Sequence, residues 1–79
     1  MWYVYIIRSQ SNPSQRYIGM TGDISSRLDD HNAGHSPHTA KYRPWRLEIL
    51  VGFSDKAKAL AFEGYLKSGS GFAFARRHF

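Results

Sequence analysis

The chain has 79 residues, enough for one small domain (1–79) with a limited hydrophobic core. Its 42% hydrophobic and 22% charged content describe a soluble globular chain, and the absence of cysteine excludes disulfides, thiolate zinc sites and thiol nucleophiles. Eleven Lys and Arg against six Asp and Glu leave a net charge of +5, which suits a polyanionic partner.

The first predicted element is a strand over Trp2–Ile7, an aromatic and β-branched run with no polar interruption. A strand buried on both faces reads this way, so it is expected at the centre of a sheet. The run is too short to span a bilayer, and no basic region precedes it as in a signal peptide. No membrane partner is expected, and the lack of cysteine fits a cytoplasmic setting. Asn12-Pro13-Ser14 marks a turn, after which Arg16–Met20 is expected to return as a second strand and pair as a hairpin. Asp23 is a good N-cap for a helix carrying Ile24 and Leu28 on one face, with Asn32 and Gly34 stopping it.

Ser36-Pro37 and Arg43-Pro44 make His35–Pro44 a loop. From Trp45 the period is two, with Trp45, Leu47, Ile49 and Val51 expected to share one face of a third strand. Ser54 is expected to cap a second helix, Asp55–Lys67, with Ala59, Phe62 and Leu66 as its apolar stripe. Gly69-Ser70-Gly71 is expected to end that helix. A short C-terminal element, Phe72–Phe79, would bury Phe72 or Phe74 and expose Arg76 and Arg77. The fold class is therefore α+β, in the order β-β-α-β-α plus that element, with helices flanking a three-stranded antiparallel sheet.

No acid occurs in the stretches 1–22, 31–47 and 64–79. The middle stretch interleaves Lys41, Arg43 and Arg46 with Tyr42 and Trp45. Cations attract phosphates and flat rings stack on bases, so these five, with Arg76 and Arg77, are candidate nucleic-acid contacts. A solvated basic surface is the plainer alternative. His31, His35 and His38 invite a metal reading, but Asn32 stands where a zinc helix needs glutamate, and Gly34 breaks the helix before His35.

A second constellation combines Tyr5, Tyr17, Arg27, His31 and Glu63. Arg27 and His31 are four apart and project from one helix face. Two phenols, a guanidinium, an imidazole and a carboxylate are what metal-assisted phosphodiester hydrolysis could use. Each also has an ordinary reading: strand aromatics, a solvated helix face, and a Glu63–Lys67 pair.

The ordered set, however, resembles the GIY-YIG nuclease superfamily. Tyr3-Val4-Tyr5 and Tyr17-Ile18-Gly19 resemble its paired strand signature, and Arg27 stands eight residues after Gly19. His31 opens His31-Asn32-Ala33-Gly34, and Glu63 begins Glu63-Gly64-Tyr65-Leu66-Lys67-Ser68-Gly69. The likeness covers nearly the whole chain and is strongest to small single-domain members. It departs where Tyr3 and Val4 replace the glycine and isoleucine of the first triplet.

The resemblance implies a metal-dependent endonuclease acting on DNA, with RNA as an open alternative substrate. It implies Mg2+ or Mn2+ on Glu63 and no organic cofactor. Tyr17 would be the general base towards water, Tyr5 a positioning group, Arg27 the phosphate holder and His31 a proton-sharing neighbour. A free phenol with a pKa of about 10 is a poor base at neutral pH, so cations beside it would have to favour the phenolate. The alternative is a small basic nucleic-acid-binding module with the same fold and little or no cleavage.

Overall fold

The computed structural model describes residues 1–79. Its first strand, β1 (Trp2–Ser9), is the middle of a three-stranded antiparallel sheet in the order β2-β1-β3. The continuous apolar run explains that position, because only a central strand needs to be apolar on both faces. Val4, Tyr5, Ile6 and Ile7 are each at most 1% exposed. β2 (Arg16–Thr21) pairs with it in the hairpin register Tyr5↔Gly19 and Ile7↔Tyr17. Residues directly opposite each other share a face. Tyr5, Ile7, Tyr17 and Gly19 therefore look one way, while Val4, Ile6 and Ile18 look the other.

α1 (Ile24–Ala33) starts on the Asp23 carboxylate, which accepts from the Ser26 amide. It ends at Gly34, whose φ of 82° is the left-handed conformation that lets a helix close its last carbonyls. Asn32 does not stop α1 as expected but lies inside it. Ile24 and Leu28 pack with Tyr5, Ile7, Trp45, Tyr17 and Tyr42 on one side of the sheet. On the other side lie α2 (Lys56–Lys67) and α3 (Gly69–His78). There Val4 and Ile6 meet Ala59, Leu66 and Ala75, with Ile49, Phe53, Phe62 and Phe74 around them. No helix is long and apolar enough to cross a membrane.

Three further expectations change. β3 (Trp45–Phe53) does not keep one phase. Ile6 pairs with Ile49 but Ile7 pairs with Leu47, so Glu48 is an extra residue in a β-bulge. The extra residue turns Trp45 and Leu47 to the α1 side and Ile49 and Val51 to the α2 side. Leu47 is left 37% exposed. The bulge is held by Arg8, whose Nε donates to Glu48 Oε2 at 2.6 Å.

The second change is at the start of α2, where Asp55 rather than Ser54 is the cap, accepting from the Ala57 amide at 2.8 Å. The third is that Gly69-Ser70-Gly71 forms the first turn of α3 instead of terminating α2. Ser68 separates the two helices, and its hydroxyl accepts from the Gly71 amide at 3.1 Å, which caps the new helix. α3 buries Ala75 and packs Phe74 on the core, leaves Phe72 50% exposed, and shows Arg76 and Arg77 to solvent.

Candidate active site

The alternation of β1 sends Tyr5 under α1, and the four-residue spacing of that helix brings Arg27 and His31 down onto it. Arg27 Nε donates to the Tyr5 hydroxyl at 3.3 Å, and that hydroxyl lies 2.9 Å from His31 Nε2. A guanidinium only donates, so the Tyr5 oxygen accepts from Arg27. The Thr39 hydroxyl donates to the Ser36 carbonyl at 3.5 Å and so accepts from His31 Nδ1–H, which leaves Nε2 of a neutral ring to accept the Tyr5 proton. His31 is then neutral, protonated on Nδ1, which donates to Thr39 Oγ1 at 2.7 Å. Burial, helped by the nearby Arg27 charge, holds the His31 pKa below its ordinary value, in agreement with this tautomer. Burial pushes the Tyr5 phenol up, which keeps it protonated at neutral pH.

Tyr17 stands beside this chain of hydrogen bonds, its ring centroid 5.0 Å from His31 and 6.3 Å from Tyr5. Arg27 lies between the two phenols, and both raise its pKa, Tyr5 through the stronger hydrogen bond. Gly19 makes room for the group. A Cβ there would overlap the Tyr5 hydroxyl and crowd the Tyr17 ring at 3.0 Å. Structure thus brings together Tyr5, Tyr17, Arg27 and His31 on one face of the sheet.

Glu63 comes from α2, the helix on the opposite face. Its negative charge is among the influences that raise the Tyr5 pKa, which puts the carboxylate within electrostatic range of the cluster. Its direct contact is Lys67 Nζ, 3.3 Å from Oε2. No group of three or more His, Asp or Glu side chains is placed to hold a metal. Glu63 alone would offer one hard oxygen ligand, which would suit magnesium or manganese completed by water and phosphate oxygens and would not suit zinc. His31 has both ring nitrogens engaged, and exposed His35 sits 3.3 Å from Asp30, so the three histidines do not converge.

The expected nucleic-acid residues separate. Lys41 and Tyr42 form part of a short 3-10 turn (Ala40–Tyr42), and Lys41 lies over the Tyr42 ring at 5.1 Å. Arg43 and Arg46 are exposed, as are Arg76 and Arg77 on α3. Trp45 does not belong to that surface. It is 4% exposed, its Nε1 donates to the Thr39 carbonyl at 2.8 Å, and it packs with Tyr5 and Ile7. A Trp among cations reads as a stacking surface; here the bulge turns it into the core.

Thr39 was not legible as part of the site. It is 1% exposed and holds His31 with its hydroxyl and Trp45 with its carbonyl. A threonine in a loop carries no local signal of such a role, since the contact forms only when the loop closes on α1.

The sequence profile of the GIY-YIG catalytic domain matches residues 1–74. The chain belongs to the GIY-YIG catalytic-domain family. Among curated relatives it is 40% identical to a structure-specific endonuclease subunit SLX1 homolog of Giardia intestinalis, over 77% of this chain and 18% of that protein. It is 43% identical to the structure-specific endonuclease subunit SLX1 of Scheffersomyces stipitis, over 76% of this chain and 20% of that protein. For SLX1 of Candida dubliniensis the identity is 39%, over 95% of this chain and 27% of that protein. The chain thus spans from 18% to 27% of the length of these relatives.

Proposed function

We propose that this chain is the catalytic domain of an endonuclease that hydrolyses DNA phosphodiester bonds with one divalent cation, Mg2+ or Mn2+. The observation that carries the reading is the Arg27–Tyr5–His31 hydrogen-bonded chain with Tyr17 beside it. Arg27 uses Nε to hold Tyr5, which leaves its two terminal nitrogens for phosphate oxygens. Its planar fork binds two such oxygens and offsets the charge that gathers on them in the transition state. Tyr5, with its proton committed to His31, orients Arg27 and does not act as a base.

Tyr17 takes the water-facing role, because it is only partly buried and only weakly engaged by Arg27, whereas the Tyr5 hydroxyl is held by both Arg27 and His31. His31, neutral and fixed by Thr39, keeps Tyr5 aimed and packs its ring beside Tyr17. Glu63 would hold the cation, which when bound polarises the phosphate and stabilises the leaving oxygen. The names of the SLX1 relatives support a structure-specific DNA substrate for this site.

The rival is a basic nucleic-acid-binding module without cleavage, and the observation that favours it is the Glu63–Lys67 pair. Glu63→Gln separates the two. As the cation ligand, its loss should abolish magnesium-dependent cleavage of labelled DNA while circular dichroism and binding in EDTA stay intact. As a surface partner of Lys67 it is worth at most about 1 kcal/mol of stability. Normal cleavage by the folded variant would remove Glu63 from the mechanism, and no cleavage by the wild-type chain on any DNA would favour the binding module.

A further inference from the structure

Behind the catalytic face, a groove of about 320 Å³ opens between the end of the β1–β2 hairpin and α3, lined by Arg8, Ser14, Arg16, Phe72, Arg76 and Phe79. Its three arginines differ in their commitments. Arg8 is bound to both Glu48 oxygens, at 2.6 and 3.2 Å, so those two charges cancel. Arg16 and Arg76 have no carboxylate partner. Both lie over the half-exposed Phe72 ring, their guanidinium carbons 5.5 and 6.0 Å from its centre.

Contact with a ring face holds a guanidinium in place without using its N–H donors. Two like charges from separate elements gathered on one ring repel each other, and a bridging anion relieves that repulsion. The arrangement therefore suits an anion with several oxygens, and two planar forks suit phosphate.

We propose that Arg16, Phe72 and Arg76 form a second phosphate-binding site, a clamp for the sugar–phosphate backbone of a DNA strand away from the bond being cut. The proposal rests on the nucleic-acid reading above and adds a route for the strand. Arg16 and Tyr17 are consecutive on β2, an edge strand, and so point to opposite faces of the sheet. A strand crossing the free edge of β2 meets Tyr17 and Arg27 on one side and the Arg16–Arg76 clamp on the other.

The test is binding of a fluorescent single-stranded DNA in EDTA across a salt series, for the wild type and for the double variant Arg16→Gln, Arg76→Gln. Losing two phosphate contacts should lower the slope of log K against log salt by about 1.4 and weaken binding roughly tenfold or more at low salt. Arg16→Lys with Arg76→Lys should restore the slope, since the charges return. An unchanged slope in the double variant, with native circular dichroism and melting, would overturn the clamp and leave the groove to an acidic protein surface. Should the double variant melt early, Arg76→Gln alone, at an exposed helix position, should lower the slope by about 0.7, and no change would equally overturn it. Because binding is read without metal, the clamp and the nuclease reading fail separately. Lost cleavage tests Glu63, and lost salt dependence tests Arg16 and Arg76.

Discussion

On the α2–α3 side of the sheet, Val4, Ile6, Ala59, Leu66 and Ala75 meet through carbon alone. On the α1 side, Tyr5, His31 and Thr39 are equally buried yet joined by hydrogen bonds. The same strand supplies both, residue by residue. The contrast shows how so small a chain carries a buried polar site: one layer supplies cohesion, so the other can bury polar groups that need partners. Neighbouring substitutions on β1 and its helices should then report on different properties.

Leu66→Ala should have the largest effect on stability, about 2–5 kcal/mol, because it empties a fully buried position in the apolar layer. Urea denaturation would measure it, and cleavage per folded molecule should stay near normal. Arg27→Lys is the converse: it keeps the charge but loses the fork, so cleavage should fall on the order of a hundred- to a thousandfold with DNA affinity and melting almost unchanged. A normal rate would take Arg27 out of the site.

Thr39→Val should show both effects at smaller size. It leaves the His31 Nδ1–H buried without an acceptor, which costs about 1–3 kcal/mol. It should also lower kcat more than it raises KM, and Thr39→Ser should recover both. The smallest expected effect is with pH. The folded state holds His31 below its ordinary pKa of 6.5, so the unfolded chain takes up the proton first and stability falls as pH drops below about 6.5. The Glu48 carboxyl, held low by Arg8, adds its own loss only below its ordinary 4.5, so the interval between isolates His31. His31→Gln should flatten melting temperature against pH in that interval.

Much of this was legible because the signals are local. The uninterrupted β1 run fixes a central strand, and the spacing of Arg27 and His31 puts them on one helix face. Four of the five residues that the family resemblance singles out meet in space, and Glu63 acts on the cluster through its charge. The misread features depend on distant contacts. Nothing around Glu48 announces that Arg8 will hold it as an extra residue, so the alternation after Trp45 was carried one step too far. Gly69-Ser70-Gly71 reads as a terminator because glycine weakens helices, yet the Ser68 cap and packing of Ala75 start a helix there. Thr39 and Trp45 acquire their roles only when the loop between α1 and β3 closes.

That closure has a consequence of its own. The Asn32 side chain meets the Trp45 backbone as a neighbouring strand would: Oδ1 accepts from the amide at 2.5 Å and Nδ2 donates to the carbonyl at 3.0 Å. The two ends of the loop are therefore tied together independently of the residues between them. Its tip, at Pro37 and His38, is exposed. A tag or short insert placed there should lengthen the loop at little entropic expense, each doubling adding only about 0.6 kcal/mol. The knot at Asn32 would keep the ends of α1 and β3 together, but an insert would interrupt the Ser36–Thr39 turn that aims Thr39 at His31. A label on the exposed His38 side chain, which leaves that turn intact, is therefore the better reporter of DNA binding.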